Sequence, residues 1–441
     1  MAYGNLKMSL PANQNPRPYS EAHAWFVWSF AALFYTYQFV LRIAPGVMAD
    51  DLMRDFGIEA CALGTLSACY LATYATLQIP VGLCLDKFGP SFLLRWAVPL
   101  CVLGNLVFSF ADSFYLACFG RLLIGMGATC GFLGTLKLGS LWFSPEKFAL
   151  VVGVAMVAGT VGATFGQAPL AVVTEIFGWR DALRYIVTPV GILLTAGIWL
   201  FVRDTPPAGA RSPVQPTDTS LATLFEELKA IALNYRIWAV GLYGALMYAP
   251  VLVFIDLWGV SFLSKLYGID KATAGSMTTM YYIGIGIGSP LIAAAADSLN
   301  QYKIPMAVGA LLSLLCISGM IYIAEIPLPV MYGLLLVAGI VFSSQPLIFA
   351  VVCPLTTRAS HGTVISFTNM IVMGIGLVMQ PLVGWLLEKS WSGEICDGIP
   401  HYSLEEYRLA LLSIPAGLLL SLLLVLLIPE TFPRSEDKKK A

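Results

Sequence analysis

The stretch DFGIEACALGTLSACY (residues 55–70) aligns with LYGIDKATAGSMTTMY (266–281) when the chain is shifted by 211 residues. The same shift places Asp86 on Asp297, and each aspartate follows the second long apolar run of its half of the chain. A single register that aligns two separate features indicates an internal duplication. We therefore interpret the chain as two parallel repeats of one structural unit.

The composition indicates that lipid surrounds most of the chain. Of its 441 residues, 58% are hydrophobic and 12% are charged, and the mean hydropathy is +0.78. A soluble domain is about a quarter charged, so this chain lacks the polar residues needed to cover a water-exposed surface. The net charge of −1 gives no indication of a nucleic-acid partner.

Twelve apolar runs are each long enough to cross a bilayer, and backbone in lipid must satisfy its own hydrogen bonds, so each run is predicted to be a helix. The runs of the first half are 22–43, 60–83, 91–110, 114–142, 147–173 and 183–202, and those of the second are 237–262, 272–296, 304–324, 328–352, 362–387 and 406–428. The predicted fold is an all-α membrane protein with twelve transmembrane helices in two pseudo-symmetric six-helix bundles.

The domain boundaries follow from these runs. They predict an N-terminal tail (1–21), a first bundle (22–202), a linker with a short amphipathic helix (203–236), a second bundle (237–428) and a basic tail (429–441). With the N-terminus in the cytoplasm, fifteen Lys and Arg residues fall in inner segments and eight in outer segments. Because basic residues favour the inner side, we expect both termini in the cytoplasm. No removable signal peptide is recognised before the first run, and the lysines at 438–440 are expected to contact the anionic inner leaflet.

The sequence offers no motif for a metal, a cofactor or catalysis. Its nine cysteines form no C-x-x-C pair and its three histidines are isolated, so we expect no metal site. No phosphate-binding loop is present, and GIGIGS (284–289) lies inside an apolar run, where glycines favour close helix packing. The chain is therefore predicted not to be an enzyme.

The stretch GLCLDKFG (82–89) resembles the signature loop of the major facilitator superfamily, G-x-L-A-D-[RK]-x-G-[RK]-[RK]. Four residues of this chain match that pattern: Gly82, Asp86, Lys87 and Gly89. The resemblance implies a gate that breaks when the two halves tilt.

Two helix N-termini are the expected partners of the aspartates in this gate. Asp86 would face the N-terminus near Ser360, with Arg358 close by, because a helix dipole favours a carboxylate there. In the second half, Asp297 would dock at the helix that begins with Ser144 and Pro145.

The fourth run contains RLLIGMG (121–127), which matches the superfamily pattern R-x-x-x-G-x-G. In the superfamily this arginine is often linked to proton coupling, so Arg121 is either a coupling residue or a structural one. Lys137, further along the same run, is expected to reach the lipid headgroups. The fifth run, GTVGATFGQAPL (159–170), lacks the Gly-Pro pair of drug exporters, which counts against export by antiport.

The first run ends in FYTYQFVLRIAPG (34–46), and its arginine, Arg42, is the strongest site candidate. A charge deep in a bilayer costs a few kcal/mol, so a persistent one suggests a function, although Arg42 could also reach the outer surface. The shift of 211 places Arg42 on Val253, one helical turn from Asp256. The first helix of each half thus carries one of two opposite charges at similar depth.

Two interpretations of this pair stay open. In one, Arg42 binds a carboxylate through its planar fork and Asp256 binds an ammonium, which suits a zwitterion. In the other, the two residues pair with each other and act as the coupling couple. Other polar residues within the runs are candidates for substrate binding or for interhelical hydrogen bonds. They are Tyr35, Gln38, Tyr70, Tyr74, Gln167, Tyr248, Tyr281, Tyr282, Gln345 and Asn369.

YQFVLRIAPGVM (37–48) is similar to the first helix of organophosphate:phosphate antiporters, which hold phosphate with a second arginine on the seventh helix; here that helix carries Asp256. The same stretch resembles bacterial facilitators of the phagosomal-transporter type, which import amino acids and some nucleosides. Four further stretches share this resemblance: TLQIPVGLCLDKFG (76–89), DLWGVSFLSKLYGI (256–269), ASHGTVISFTNM (359–370) and FTNMIVMGIGLVMQPLVGWLLE (367–388).

These resemblances imply a bacterial inner-membrane importer of a small polar nutrient, a zwitterionic amino acid or small peptide, working by rocker-switch alternating access. Proton coupling through Asp256 or Arg121 is left open. The expected partners are a small-molecule substrate and membrane lipid, with no nucleic acid. The alternatives are a carrier of organic anions, sugar phosphates, nucleosides or siderophores, and a transporter-like nutrient sensor.

Overall fold

The computed structural model describes residues 21–204, 221–323, 325–357, 360–396 and 399–432. Three predictions from the sequence lie outside these residues: the N-terminal tail up to residue 20, the lysines at 438–440, and Arg358.

The first half contains six spans. The first, third, fourth, fifth and sixth are Glu21–Val47, Pro90–Phe110, Phe114–Trp142, Leu150–Phe177 and Trp179–Phe201. The second span consists of two helices, Ala60–Thr76 and Gln78–Phe88, separated by Leu77. Backbone hydrogen bonds from Leu77 to Thr73 and from Val81 to Leu77, of 3.1 and 2.9 Å, continue the helical pattern across Leu77. We therefore treat the two helices as one span.

The second half repeats this arrangement. Its spans, the seventh to the twelfth, are Tyr235–Tyr267, Lys271–Leu299, Lys303–Tyr322, Leu328–Leu355, His361–Ser390 and Leu404–Leu427. Among the described residues, eleven helices are long and apolar enough to cross a membrane. The second span, whose two helices continue through Leu77, makes twelve. The predicted twelve-helix fold is confirmed.

Three shorter elements lie outside the spans. A helix at Leu221–Leu233 precedes the seventh span. Helix Ala49–Phe56 meets Ala60–Thr76 at a bend of 110°, and strands Ile395–Cys396 and Ile399–Pro400 pair antiparallel before the twelfth span.

Glycines let the two halves approach closely. A Cβ on Gly64 would collide with the Gln380 carbonyl, and one on Gly384 would collide with the Ala60 carbonyl. These contacts join the second and eleventh spans, which run antiparallel. Small residues at a helix interface allow such backbone contact, which in lipid supplies packing that the hydrophobic effect does not.

Hydrogen bonds and ion pairs between the halves reinforce one end of the molecule, which we name the Lys271 end. Glu388 of the eleventh span accepts a hydrogen bond of 2.7 Å from the Cys61 backbone N–H. The Lys271 ammonium lies 3.1 Å from Asp50 and 3.5 Å from Asp51. The hydrogen bonds that join described residues of the two halves lie at this end or at the centre of the bundle. The molecule is therefore closed at the Lys271 end, which in the predicted orientation faces away from the cytoplasm.

Candidate functional site

At the centre of the molecule, Arg42 of the first span and Asp256 of the seventh form a salt bridge between the two halves. The Arg42 Nη2 and Nε atoms donate to the same oxygen, Asp256 Oδ2, at 2.6 and 3.0 Å. The side chains are 7% and 4% exposed. Arg42 thus points into the bundle rather than to the outer surface. The pair is neutral as a whole, which is the form in which charges are tolerated away from water.

The first helix is shaped around Arg42 by Pro45 and Arg121. Proline has no backbone N–H, so Pro45 cannot bond the carbonyl four residues earlier, that of Leu41. Arg121 Nη1 donates to this carbonyl at 2.6 Å, and its Nη2 donates to the Arg42 carbonyl at 3.2 Å. Arg121 is 1% exposed. It thus satisfies backbone acceptors of the helix that carries Arg42, as the structural interpretation predicts.

Asp256 lies in a π-helical segment, Pro250–Trp258, in the middle of the seventh span. Such wide turns often occur at functional sites. Side-chain amides of neighbouring spans bind two of its carbonyls: Gln380 Nε2 donates to Leu252 O at 2.7 Å, and Gln167 Nε2 donates to Ile255 O at 2.9 Å. A Cβ at Gly46 would collide with the Asp256 carbonyl. Both halves therefore hold the backbone of Asp256 in place.

Aromatic side chains surround the pair. Tyr282 donates a hydrogen bond to Asp256 Oδ1, and the Tyr248 hydroxyl lies 3.4 Å from both Nη atoms of Arg42. The Arg42 guanidinium carbon is 5.2 Å from the centre of the Phe39 ring and 5.6 Å from that of Tyr248. These distances allow cation–π attraction. Ring faces and hydroxyls thus surround the pair with few fixed polar groups, a composition typical of ligand sites.

Four predicted residues of the first half lie near the Arg42–Asp256 pair. The Tyr70 hydroxyl donates to Gln38 Oε1 at 2.6 Å, and the Tyr70 and Tyr74 rings stack 5.7 Å apart. Tyr74 and Tyr35 both lie within electrostatic range of Arg42 and Tyr248. The structure thus gathers these residues around the salt bridge.

Three predicted residues of the second half are placed differently. Tyr281 packs its ring 5.8 Å from that of Phe342, and it is Tyr282, not Tyr281, that reaches Asp256. Gln345 donates at 3.4 Å to the Gly244 carbonyl of the seventh span. Asn369 is half-buried on the eleventh span.

Asp86 binds a different partner from the one expected. Its Oδ1 lies 2.6 Å from Lys137 Nζ, within the same half, rather than at the helix N-terminus after Ser360. Lys137 therefore pairs with Asp86 instead of reaching the headgroups, because the helical end of the second span, Gln78–Phe88, lies against the fourth span. Gly82 lies near the second half, where a Cβ would be 3.5 Å from Ser366 Oγ.

The remaining gate residues lie at the same end as Asp86. Gly89 adopts φ +80°, a conformation that favours glycine. It precedes the third span, where Asp204 accepts a hydrogen bond of 2.7 Å from the Ser91 N–H. The Lys87 ammonium lies 5.4 Å from the Phe88 ring centre. Asp297 is exposed, and no hydrogen bond between it and Ser144 is found among the described side chains.

A cavity of about 470 Å³ lies among the first, fifth and sixth spans, and neither Arg42 nor Asp256 lines it. Its lining is almost wholly apolar and includes Phe30, Phe165 and Leu193. Leu193 is 73% exposed, so this cavity opens to the outer surface of the bundle, where lipid chains would fill it.

The chain belongs to the Major Facilitator Superfamily, whose family model matches residues 28–264 and 257–441. Membership of this superfamily of transporters confirms the prediction that the chain is not an enzyme. It also places the chain in a membrane as a multi-pass protein.

Individual proteins resemble this chain at lower identity. The uncharacterized transporter YybO of Bacillus subtilis is 23% identical over 283 residues, which cover 61% of this chain and 65% of YybO. The membrane sensor protein UhpC of Salmonella typhimurium is 24% identical over 397 residues, which cover 83% of this chain and 85% of UhpC. Other matched proteins are named as the nitrate/nitrite transporter NrtP, of which 22% is covered, and a probable L-galactonate transporter.

A solved structure shares the fold. It is that of a bacterial homolog to the human lysosomal transporter Spinster, in an inward-facing and unoccupied conformation. The TM-score is 0.73 at 18% identity, over 93% of this chain and 98% of that chain.

Several residues that shape the site were missed by the sequence analysis. Gln380 lies in the stretch 367–388 but is not among the predicted site residues. Pro45 and Gly46 lie three and four residues after Arg42. The signal for Pro45 was available: a proline inside a predicted helix leaves a carbonyl free, and a buried arginine elsewhere is a donor for it.

Proposed function

We propose that this chain is a secondary transporter that imports a small zwitterion, an α-amino acid or small peptide, bound between Arg42 and Asp256. The observation that supports the proposal is the buried salt bridge between the two halves. Arg42 would take the carboxylate of the substrate and Asp256 its ammonium. Tyr248, Tyr282 and the tyrosines of the first half would surround the bound substrate.

The charge balance of the site supports a zwitterion. Arg42 and Asp256 together are neutral, and both are nearly excluded from water. A zwitterion that replaces their mutual contact leaves every charge paired. A buried charge that loses its partner costs several kcal/mol, roughly 3 to 5. A cargo with only a negative charge would therefore leave Asp256 unpaired.

A second candidate meets the same condition in another way. An organic anion, such as a sugar acid, could bind Arg42 if a proton neutralises Asp256, so that one proton enters with each anion. The names of related proteins, a nitrate/nitrite transporter and a probable L-galactonate transporter, favour this candidate. The two candidates agree on Arg42 and differ in the role of Asp256.

Substrate binding would also bias the conformation. The Arg42–Asp256 pair joins the two halves at the centre, and further contacts close the Lys271 end. A substrate that binds between Arg42 and Asp256 replaces the direct salt bridge between the halves with its own contacts to each side chain. A ligand shifts a conformational equilibrium only by its difference in affinity for the two states. Loss of this salt bridge on binding would give the substrate different affinities for the two conformations, as rocker-switch transport requires.

The experiment that separates the candidates uses the Asp256→Asn variant. Purified protein is first screened by thermal shift against amino acids, dipeptides, nucleosides, sugar acids and sugar phosphates. Uptake of each ligand that stabilises the protein is then measured in liposomes, with and without a pH gradient.

For a zwitterion, Asp256→Asn removes the partner of the ammonium and abolishes binding and uptake. For an anion with a proton, Asp256→Asn keeps exchange but loses accumulation driven by the pH gradient. Unchanged uptake with unchanged pH dependence would reject both roles. Binding without counterflow in liposomes would indicate a sensor, a possibility raised by the likeness to UhpC.

A further inference from the structure

Gln38 is a buried carboxamide of the first span, and only one of its two polar atoms has a partner. The residue is 2% exposed, and its Oε1 accepts a hydrogen bond of 2.6 Å from the Tyr70 hydroxyl of the second span. Its Nε2, which carries two N–H donors, makes no hydrogen bond with a described residue. This nitrogen is not completely enclosed by other atoms. A small molecule inside the bundle can therefore reach it.

Gln38 lies one helical turn before Arg42. Both residues belong to the α-helix Glu21–Val47, in which side chains four residues apart are neighbours with Cβ atoms about 5 to 6 Å apart. Tyr70, which binds Gln38, lies within electrostatic range of Arg42. Gln38 and Arg42 are therefore adjacent donors on one face of the first span.

The surroundings of Gln38 fix which way its amide is turned. On the fourth span, a Cβ at Gly131 would lie 3.2 Å from Gln38 Cγ, so the side chain fits closely there. The Tyr70 ring stacks 5.7 Å from Tyr74 and lies 5.2 Å from the guanidinium carbon of Arg121. The Tyr70 hydroxyl occupies Oε1, which leaves the nitrogen for a ligand. A carboxylate only accepts hydrogen bonds, so it needs this orientation of the amide.

Arg42 has donors left for the same ligand. Its Nε and Nη2 bind Asp256, and the hydrogen bond of its Nη1 among the described residues is the 3.4 Å contact with Tyr248. Both Nη atoms of Arg121 are used on backbone carbonyls. One positive charge beside a neutral amide suits a monoanion with two acceptor oxygens, which a carboxylate is, better than a phosphate dianion.

We propose that Gln38 Nε2 and Arg42 together bind the carboxylate of the substrate, one oxygen each, and that Tyr70 positions the Gln38 amide for this contact. This inference rests on the proposed function, because it adds a second donor for the carboxylate that Arg42 would take. It holds for a zwitterion and for an organic acid alike. The substrate class is accordingly a carboxylate, not a phosphate ester.

Sodium acetate is the probe that tests this proposal. In Asp256→Asn, the Arg42 guanidinium has lost its carboxylate partner, and acetate carries no ammonium that would need Asp256. Acetate should therefore raise the melting temperature of the purified Asp256→Asn protein in a saturable way. Sodium chloride at equal ionic strength should not. The affinity for acetate is read from the dependence of the melting temperature on its concentration.

Adding Gln38→Leu to Asp256→Asn should weaken acetate binding about tenfold or more, because one hydrogen bond to a charged group is lost. Asn105→Leu is the matched control in the same background. It removes another buried amide, which donates to the Leu183 carbonyl at 3.1 Å and to Thr188 at 2.9 Å. This control should melt earlier but keep its affinity for acetate, so the acetate response separates a binding role from a structural one.

Tyr70→Phe tests the positioning role. In Asp256→Asn it should weaken acetate binding about two- to tenfold, because the Gln38 amide is no longer held in one orientation. Once Gln38 is replaced by leucine, Tyr70→Phe should have no further effect on the affinity. An equal effect of Tyr70→Phe with and without the glutamine would overturn this role.

The remaining outcomes distinguish failure of this proposal from failure of the proposed function. If acetate stabilises Asp256→Asn and Gln38→Leu leaves its affinity unchanged, the assignment of Gln38 is overturned while the role of Arg42 stands. If acetate does not stabilise Asp256→Asn, or stabilises Arg42→Met/Asp256→Asn equally well, Arg42 does not bind an external carboxylate. The proposed function then fails together with this inference.

Discussion

The Arg42–Asp256 pair predicts a specific pattern of stability in a double-mutant cycle. Arg42→Met leaves a carboxylate that is 4% exposed and that keeps Tyr282 as its hydrogen-bond donor. Asp256→Asn leaves a guanidinium whose remaining side-chain partner is Tyr248, at 3.4 Å. Removing one member of a buried pair costs about 3 to 5 kcal/mol, because the other charge stays behind. We expect each single variant to lose stability on this scale.

The double variant Arg42→Met/Asp256→Asn should recover most of this loss. It leaves neither charge of the pair behind, and replacing a whole buried ion pair with uncharged groups is often close to neutral. The four proteins are compared by thermal unfolding in one detergent. Asp86→Asn is the comparison for an exposed pair: Asp86 is 64% exposed, and such pairs contribute about 1 kcal/mol or less.

The pH dependence of Arg42→Met gives an independent check. An unpaired buried carboxylate is relieved by taking up a proton. The deficit of Arg42→Met relative to wild type should therefore shrink as the pH falls from about 8 to about 5. The reasoning would be refuted if the losses of the two single variants simply added in the double variant, since the two side chains would then not interact.

Three further predictions concern the groups that hold the site and close the molecule. Arg121→Met should destabilise the protein by about 1 to 3 kcal/mol, because it leaves the Leu41 carbonyl unpaired. Adding Pro45→Ala restores a backbone N–H for that carbonyl and should recover part of this loss in thermal unfolding. Equal melting temperatures of the single and double variants would contradict this. Gly384→Ala should prevent closure of the Lys271 end and reduce uptake. The control is Gly153→Ala, where a Cβ meets nothing within 4 Å and uptake should not change. Similar uptake by the two variants would argue against tight backbone packing of Gly384 on Ala60. Glu388→Ala removes the acceptor of the Cys61 N–H and should favour opening of this end by about 0.5 to 2 kcal/mol, the range for lost helix caps. It is read as faster maleimide labelling of a protein that keeps only Cys61, with the exposed Glu405→Ala as control; unchanged labelling would show that Glu388 does not hold the end closed.

The sequence was sufficient to predict the spans and the central pair. Spans are defined by length and apolarity, which are local properties of the chain, and most predicted bounds differ from the structure by only a few residues. The opposition of Arg42 and Asp256 followed from the repeat, because a duplicated fold places equivalent helices in equivalent positions. Asp256 itself lies in the π-helical segment Pro250–Trp258. The spacing of apolar residues in the sequence does not predict such a segment.

The partners of individual polar side chains could not be predicted in the same way. Asp86 binds Lys137 rather than the helix after Ser360, and Tyr282 rather than Tyr281 reaches Asp256. Tyr281 and Tyr282 differ in direction by one helical step of about 100°, and Asp86 lies between two possible partner helices, so both choices depend on how each helix is rotated against the next. That rotation is set by tertiary contacts such as those of Gly64 and Gly384, which a single sequence does not reveal.

The central claim is that Arg42 binds the carboxylate of the substrate inside the bundle. It is tested most directly by isothermal titration of the ligand found in the thermal-shift screen, into wild type and into Arg42→Met/Asp256→Asn. This variant removes both charges without leaving either unpaired. The account predicts that the double variant, although folded, binds the ligand at least a hundredfold more weakly, because two or more charge-assisted hydrogen bonds of about 1.5 to 3 kcal/mol each are lost. An affinity equal to that of wild type would contradict it.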